Sequence, residues 1–157
     1  MRVAAFFLLL AVALGYAAWR GGGPEKVMAG IATGMVMSDP LLHHFVPPGY
    51  ASLDIGHLVI DGFGAASTLV LALVAYRFWP MVAAALHILP MMAHVSRASD
   101  LAMHPAAYMI MQVAWSWLVP PLLILATWCH QHRLRESGSD PSWRISSQRM
   151  SEMGSKE

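Results

Sequence analysis

Long apolar runs separated by helix breakers dominate this sequence. An α-helix needs about 20 mainly apolar residues to cross the roughly 30 Å hydrocarbon core of a bilayer. Breakers such as the Gly-Gly-Gly-Pro of residues 21–24 and the Pro-Pro-Gly of residues 47–49 divide the chain into runs close to that length. The pattern predicts five membrane spans, over residues 3–19, 27–46, 55–76, 79–96 and 105–128.

The first two runs leave alternatives open. Arg2 and the apolar run after it partly fit a cleaved signal peptide, but Arg20 follows directly, so a retained helix is favoured. The second run is the least apolar, because it contains Asp39-Pro40 and then His43-His44. A proline inside a helix removes a backbone donor, so we expect this helix to be irregular from Asp39 onward.

The composition indicates lipid as the main solvent of the chain. Apolar residues make up 57% and charged residues 12%, against about 45–50% and 25% in soluble domains. We therefore predict an all-α, polytopic transmembrane helix bundle of about five spans over residues 1–130. Residues 131–157 are rich in Ser, Arg, Glu and Gly and are predicted to form a disordered cytoplasmic tail. A net charge of +1 gives no basic surface for a nucleic acid.

Basic residues alternate between the predicted connections. They follow the first run, lie between the third and fourth, and recur in the tail: Arg20, Lys26, Arg77, Arg133, Arg135, Arg144, Arg149 and Lys156. The connection after the second run has none, and Arg97 stands alone between the fourth and fifth. Because cytoplasmic loops carry an excess of Lys and Arg, we expect an outside N-terminus and a cytoplasmic C-terminus.

Asp61 is the most informative polar residue, because it lies about two turns inside an apolar run. An ionised Asp near the centre of a membrane helix costs about 2.5–3.5 kcal/mol on insertion scales, so it normally faces the bundle and has a partner. The third and fourth helices share a tight connection and should pack antiparallel. His94 and Arg97 then reach the level of Asp61, and we expect a structural polar pair of Asp61 with one of them.

A metal or haem site is the alternative use of the same residues. His57 lies four positions before Asp61, on the same helical face, and imidazole with carboxylate is a normal ligand set for zinc, copper or nickel. The sequence thus offers a metal site of His57, Asp61 and His94, with His43, His44 or His104 nearby. Haem held by His57 and His94, or by His87 and a partner, and a proton relay through Asp61 are further alternatives.

Short motifs add expectations about partners and family. The Gly30–Gly34 GxxxG spacing would let another helix approach, as in a homo-oligomer. Several motifs over residues 1–128 resemble small hypothetical membrane proteins from α-proteobacteria such as sphingomonads. These motifs are Trp19-Arg20-Gly21-Gly22 with Pro24-Glu25, Asp61 in an apolar helix, Arg77-Phe78-Trp79-Pro80, Ala93-His94 and Ala107-Tyr108. The resemblance implies a bacterial inner-membrane location and several spans, but no activity, cofactor or catalytic residue.

The sequence carries no phosphate loop, nucleophile elbow or paired-carboxylate signature. We therefore predict a non-enzymatic structural or accessory component of the membrane, with a membrane protein partner or a second copy as its partner. A metal- or haem-binding protein with a His/Asp site near the outer face is the first alternative. A small proton-coupled transporter is the second.

Overall fold

Helices make up almost all of the structure, a computed structural model that describes residues 2–45, 53–99 and 103–144. Within these ranges the helices are α1 (Arg2–Arg20), α2 (Gly23–Phe45), α3 (Ile55–Val74), α4 (Trp79–Ser99), α5 (Pro105–Val113) and α6 (Val119–Ser137). A 3₁₀ segment, Ala114–Leu118, joins α5 directly to α6. The predicted all-α helix bundle is confirmed.

Four helical stretches of the described chain are long and apolar enough to cross a membrane. They are α1, α3, α4 and the continuous stretch Pro105–Ser137, which contains α5, the 3₁₀ segment and α6. The large side chains on their outer surfaces are apolar, for example Leu8, Val70 and Leu125. An apolar outer surface suits lipid contact, as expected for a membrane-embedded bundle.

The second predicted span is the exception. α2 does not reach the apolarity of the other four stretches, because it carries Glu25, Lys26 and Asp39. It nevertheless packs in the bundle against α3, α1 and α6. The expected irregularity from Asp39 onward is not found, since the helix continues through Pro40 to Phe45. The Asp39 carboxylate contacts His43 one turn later, at 3.3 Å, and this contact spans the proline.

Small side chains form much of the core. Ala13 and Ala17 of α1, Ala29 of α2 and Ala83 of α4 are buried in one cluster, alongside Met28, Leu71 and Leu123. Small residues let membrane helices approach closely. α3 packs most extensively on α4, and α1 packs mainly on α6. Residues 75–78 join α3 to α4, which run antiparallel as expected.

The two ends of the bundle differ in their polar side chains. One end, called the histidine end, carries His43, His44, His57, His94 and His104. The opposite end, called the basic end, carries Arg20, Lys26, Arg77, Arg133, Arg135 and Arg144. The His/Asp group and the loop cations, which the sequence predicts on opposite sides, thus lie at opposite ends of the bundle.

Helical structure continues beyond the predicted domain boundary at residue 130. α6 extends to Ser137, and Gly138 ends it with a left-handed backbone at φ 67°. The following segment returns to the basic end, where the Tyr76 N–H donates to the Ser142 carbonyl at 3.1 Å. The ring of Trp143 lies on Gly23, where a Cβ would come within 2.7 Å of it. Residues 145–157 of the predicted tail lie outside the described residues.

Candidate metal centre

Three side chains converge at the histidine end from two helices. Asp39 and His43 lie one turn apart on α2, and His57 lies in the first turn of α3. Asp39 Oδ1 is 3.3 Å from His43 Nε2 and 3.5 Å from His57 Nε2. The ligand atoms of all three residues lie within 4.8 Å of one another. Asp39 is half-exposed, so the group is open to its surroundings on one side.

The spacing of these atoms matches a transition-metal site. Ligand bonds of about 2.0–2.2 Å in a tetrahedral arrangement separate neighbouring donor atoms by roughly 3.4 Å. The two contacts of Asp39 Oδ1 fall on that value. Two imidazoles and one carboxylate are ligands of zinc, cobalt, nickel and copper(II), whereas calcium and magnesium prefer oxygen alone. The three side chains could therefore hold a divalent transition metal and leave a fourth position open.

Asp54 orients His57 within this group. Its side chain is buried, caps the N-terminus of α3 by accepting from the His57 N–H at 3.0 Å, and accepts from His57 Nδ1 at 3.0 Å. A carboxylate only accepts, so Nδ1 carries the proton of that hydrogen bond, and in the neutral ring Nε2 keeps a lone pair on the side of Asp39. A carboxylate behind a metal-binding histidine is the usual way of fixing its tautomer.

A second polar group lies deeper in the bundle. His94 Nε2 is 3.0 Å from Asp61 Oδ2, and His94 Nδ1 is 2.7 Å from the Tyr108 hydroxyl. The Tyr108 oxygen accepts from the Asp54 N–H at 3.3 Å. The ionised Asp61 carboxylate only accepts, so His94 Nε2 carries a proton and donates to it, and Nδ1 of the neutral ring accepts from the Tyr108 hydroxyl. Gln112 completes the group, 3.3 Å from His94.

The residues of the predicted metal site are thus divided between two groups. The structure brings Asp61 and His94 together, as proposed for the structural polar pair, and places His57 beside Asp39 and His43. Both ring nitrogens of His94 are engaged by Tyr108 and Asp61, which leaves neither for a metal or haem iron. His43, named in the sequence analysis as a nearby residue, supplies the second imidazole instead.

The remaining predicted residues take local roles. Arg97 is buried, donates to the Met103 carbonyl and lies 5.7 Å from the centre of the Tyr108 ring. His104 caps α5 by accepting from the Ala106 N–H at 3.2 Å. His44 is exposed and packs edge-on against Phe45. Arg97 therefore fastens the α4–α5 connection and adds a cation beside the Tyr108 group.

Asp39 is not among the ligands predicted from the sequence, and Tyr108 is not among the predicted hydrogen-bonding partners. For Asp39 the sequence predicts only a helix-breaking Asp-Pro pair. The usable signal was the spacing of Asp39 and His43, which are four residues apart and therefore share a helical face. Tyr108 carried no comparable signal, because its partners lie on α3 and α4.

Asp140 forms a separate ionic group at the basic end. Its buried carboxylate accepts from Arg133 at 2.9 Å and from His130 at 2.5 Å, and it contacts Arg77. Burial acts to raise the pKa of Asp140, but the hydrogen bonds from Arg133, His130 and Arg77 outweigh it and hold the pKa below its ordinary value. This group holds the C-terminal segment against the connection between α3 and α4.

No family model matches the chain, and no curated protein or solved structure shows significant similarity to it. The chemistry inferred for the site rests on this chain's own residues.

Proposed function

We propose that this chain is an integral membrane protein that binds a divalent transition metal at the histidine end. The convergence of Asp39 Oδ1, His43 Nε2 and His57 Nε2 within 4.8 Å carries this proposal. The buried Asp54 behind His57 supports it, because the carboxylate selects the tautomer that a metal ligand needs. Zinc, cobalt, nickel and copper(II) are the ions that suit the donor set.

Titration of the purified full-length protein with Co²⁺ tests the proposal, since cobalt reports its ligands through visible absorption. The wild type is expected to bind the ion with a tetrahedral or five-coordinate spectrum. His43→Ala and His57→Ala should each abolish that spectrum. His132→Ala is the matched control, because His132 is exposed near the basic end and pairs with Glu136. Binding that survives both ligand variants would refute the site.

The membrane and its orientation form the second part of the proposal. We place the chain in a bacterial inner membrane with the basic end in the cytoplasm and the metal centre outside, because cations concentrate on the cytoplasmic side. Single cysteines introduced beside His104 and near the C-terminus, in a Cys129→Ser background, can be labelled with a membrane-impermeant maleimide on intact spheroplasts. Only the cysteine beside His104 should react, and the reverse result would invert the orientation.

Three statements stay predictions. They are that the chain is a structural or accessory component, that it has a membrane protein partner or a second copy as its partner, and that it is a proton-coupled transporter. Metal binding is compatible with each of them. Co-purification from the native membrane and chemical cross-linking address the partner directly.

A further inference from the structure

Two side chains with metal-binding atoms, Met35 and His87, line a partly open cavity between the helices. The cavity has a volume of about 100 Å³, which exceeds the roughly 30 Å³ share of one liquid water molecule. Its lining comes from α1, α2, α4, the 3₁₀ segment and α6, and it includes Phe6, Leu10, Met35, His87, Ser116 and Val119. Apart from Met35, His87 and Ser116, the lining is hydrocarbon.

His87 is the buried polar group of this cavity, with 7% of its surface exposed. Its Nδ1 lies 2.8 Å from the Ala83 carbonyl. A carbonyl oxygen only accepts, so Nδ1 must carry the proton. In the neutral ring Nε2 then keeps a lone pair, and no hydrogen bond to that nitrogen occurs within residues 2–45, 53–99 and 103–144. That lone pair is the donor that a metal ion would need.

Met35 meets His87 over the backbone of Gly64. A Cβ on Gly64 would lie 2.7 Å from Met35 Sδ and 2.9 Å from His87 Cδ2. The thioether and the imidazole therefore approach one point from α2 and α4, and the absence of a side chain on α3 permits it. Gly64 is itself buried, so this close approach lies inside the bundle.

The backbone around the cavity is interrupted as well. The 3₁₀ segment replaces regular α-helix at Ser116, and Pro121 has no N–H, so the Trp117 carbonyl loses its usual helical donor. Pro90 has the same effect on Leu86, next to His87. Irregular backbone at membrane depth is tolerated where it is buried in protein or lines a cavity, and broken helices often surround ion sites in membrane proteins.

We propose that this cavity is a second metal site, for a soft monovalent ion of the copper(I) type, with Met35 Sδ and His87 Nε2 as ligands. Thioether sulfur selects copper(I), and imidazole binds copper readily. The donor set differs from that of the outer centre, which has a carboxylate and no sulfur. The two sites are therefore distinguished by the ion that each prefers.

Silver(I) is the probe, because it shares the charge and ligand preference of copper(I) without redox chemistry. All proteins carry Cys129→Ser, because a thiol binds silver by itself. After equilibrium dialysis, the parent should retain one more silver ion per chain than Met35→Leu or His87→Gln. Met37→Leu is the matched control, since Met37 lies on α2 but is 63% exposed, and it should retain as much silver as the parent.

Equal silver retention by Met35→Leu and Met37→Leu would overturn the proposal. Leucine nearly conserves the volume of methionine, so this comparison stands even where His87→Gln does not fold. Silver-edge X-ray absorption of the parent and Met35→Leu gives a second test, because the Met35→Leu spectrum should lose a sulfur ligand. Cobalt binding separates the two proposals. If the parent binds no cobalt but retains more silver than Met35→Leu, only the outer centre is refuted. If the parent binds cobalt but retains no more silver than Met35→Leu, only this site is refuted.

Discussion

The Asp54 carboxylate accepts from His57 Nδ1 at 3.0 Å, and the Asp54 backbone N–H donates to the hydroxyl of Tyr108. One residue before the first turn of α3 thus connects the proposed metal centre at the histidine end to the pair of His94 and Asp61. The direction of the hydrogen bond from Asp54 to Tyr108 is fixed, because a backbone N–H can only donate. The orientation of His57 therefore depends on the packing of α5 against α3 and α4.

Replacement of Asp54 should weaken metal binding without removing a ligand. Asn at this position can still accept from the His57 N–H, but it lacks the charge that favours a proton on Nδ1. We expect Asp54→Asn to lower Co²⁺ affinity about 10- to 100-fold, the usual cost of losing such a supporting group. Competition with a chelator of known affinity measures this change. Asp140→Asn, at the opposite end, is the control, and a wild-type affinity in Asp54→Asn would contradict the role.

Loss of His94 should destabilise the bundle. His94→Ala leaves the Asp61 carboxylate and the Tyr108 hydroxyl without a shared partner in the core. A buried group left unsatisfied costs about 1–3 kcal/mol. Thermal unfolding in detergent should show this loss, whereas His44→Ala at an exposed position should stay within about 0.5 kcal/mol of wild type. Equal stability of the two variants would exclude a stabilising role for the Asp61–His94 contact.

Acidification should release the C-terminal segment. The pKa of Asp140 is lowered from an ordinary value of 3.8, so its ionised form stabilises the docked segment at and above that pH. This contribution is lost as the pH falls from 3.8 toward the lower folded-state pKa. The protection of the amides of residues 138–144, measured against their intrinsic exchange rate at each pH, should therefore be high at neutral pH and fall only below pH 3.8. In Asp140→Asn the same amides should lose protection at neutral pH, and retained protection there would rule out anchoring by the carboxylate.

A side chain at residue 23 should displace Trp143. A Cβ at Gly23 would lie 2.7 Å from the Trp143 ring, whereas at Gly30, on the same helix, it meets nothing within 4 Å. We expect Gly23→Ala to cost about 1–3 kcal/mol, the range for overpacking a filled site. Gly30→Ala should gain about 0.5–1 kcal/mol from the better helix propensity of alanine. Denaturant unfolding of the two variants gives the comparison, and a stabilised Gly23→Ala would show that Trp143 does not dock there.

The helices and the level of their polar residues followed from the sequence. Apolar run length predicted α1, α3, α4 and the long C-terminal stretch, and antiparallel packing placed His94 at the height of Asp61. The rotation of each helix about its axis was not encoded in such simple patterns. This rotation determines that the His57 side chain faces α2 and that the His94 side chain faces Tyr108. It depends on how all the neighbouring helices pack together.

The polar features were harder to predict than the apolar ones. Pro40 suggested a break in α2, but an intact last turn keeps Asp39 and His43 on one face. The described part of the tail, up to residue 144, has few apolar residues, so hydropathy gave no sign of its structure. Asp140 organises it through three partners, Arg77 in the connection after α3 and His130 and Arg133 on α6.

The modest apolarity of α2 has a consequence for how the protein is made. Its polar residues find partners on segments that leave the ribosome later, since Glu25 accepts from Trp79 at 3.1 Å and Asp39 meets His57. A nascent chain that ends before α3 lacks both partners. α2 should then remain at the bilayer surface, within reach of aqueous reagents, and enter the lipid together with the helices that follow it rather than as a hairpin with α1.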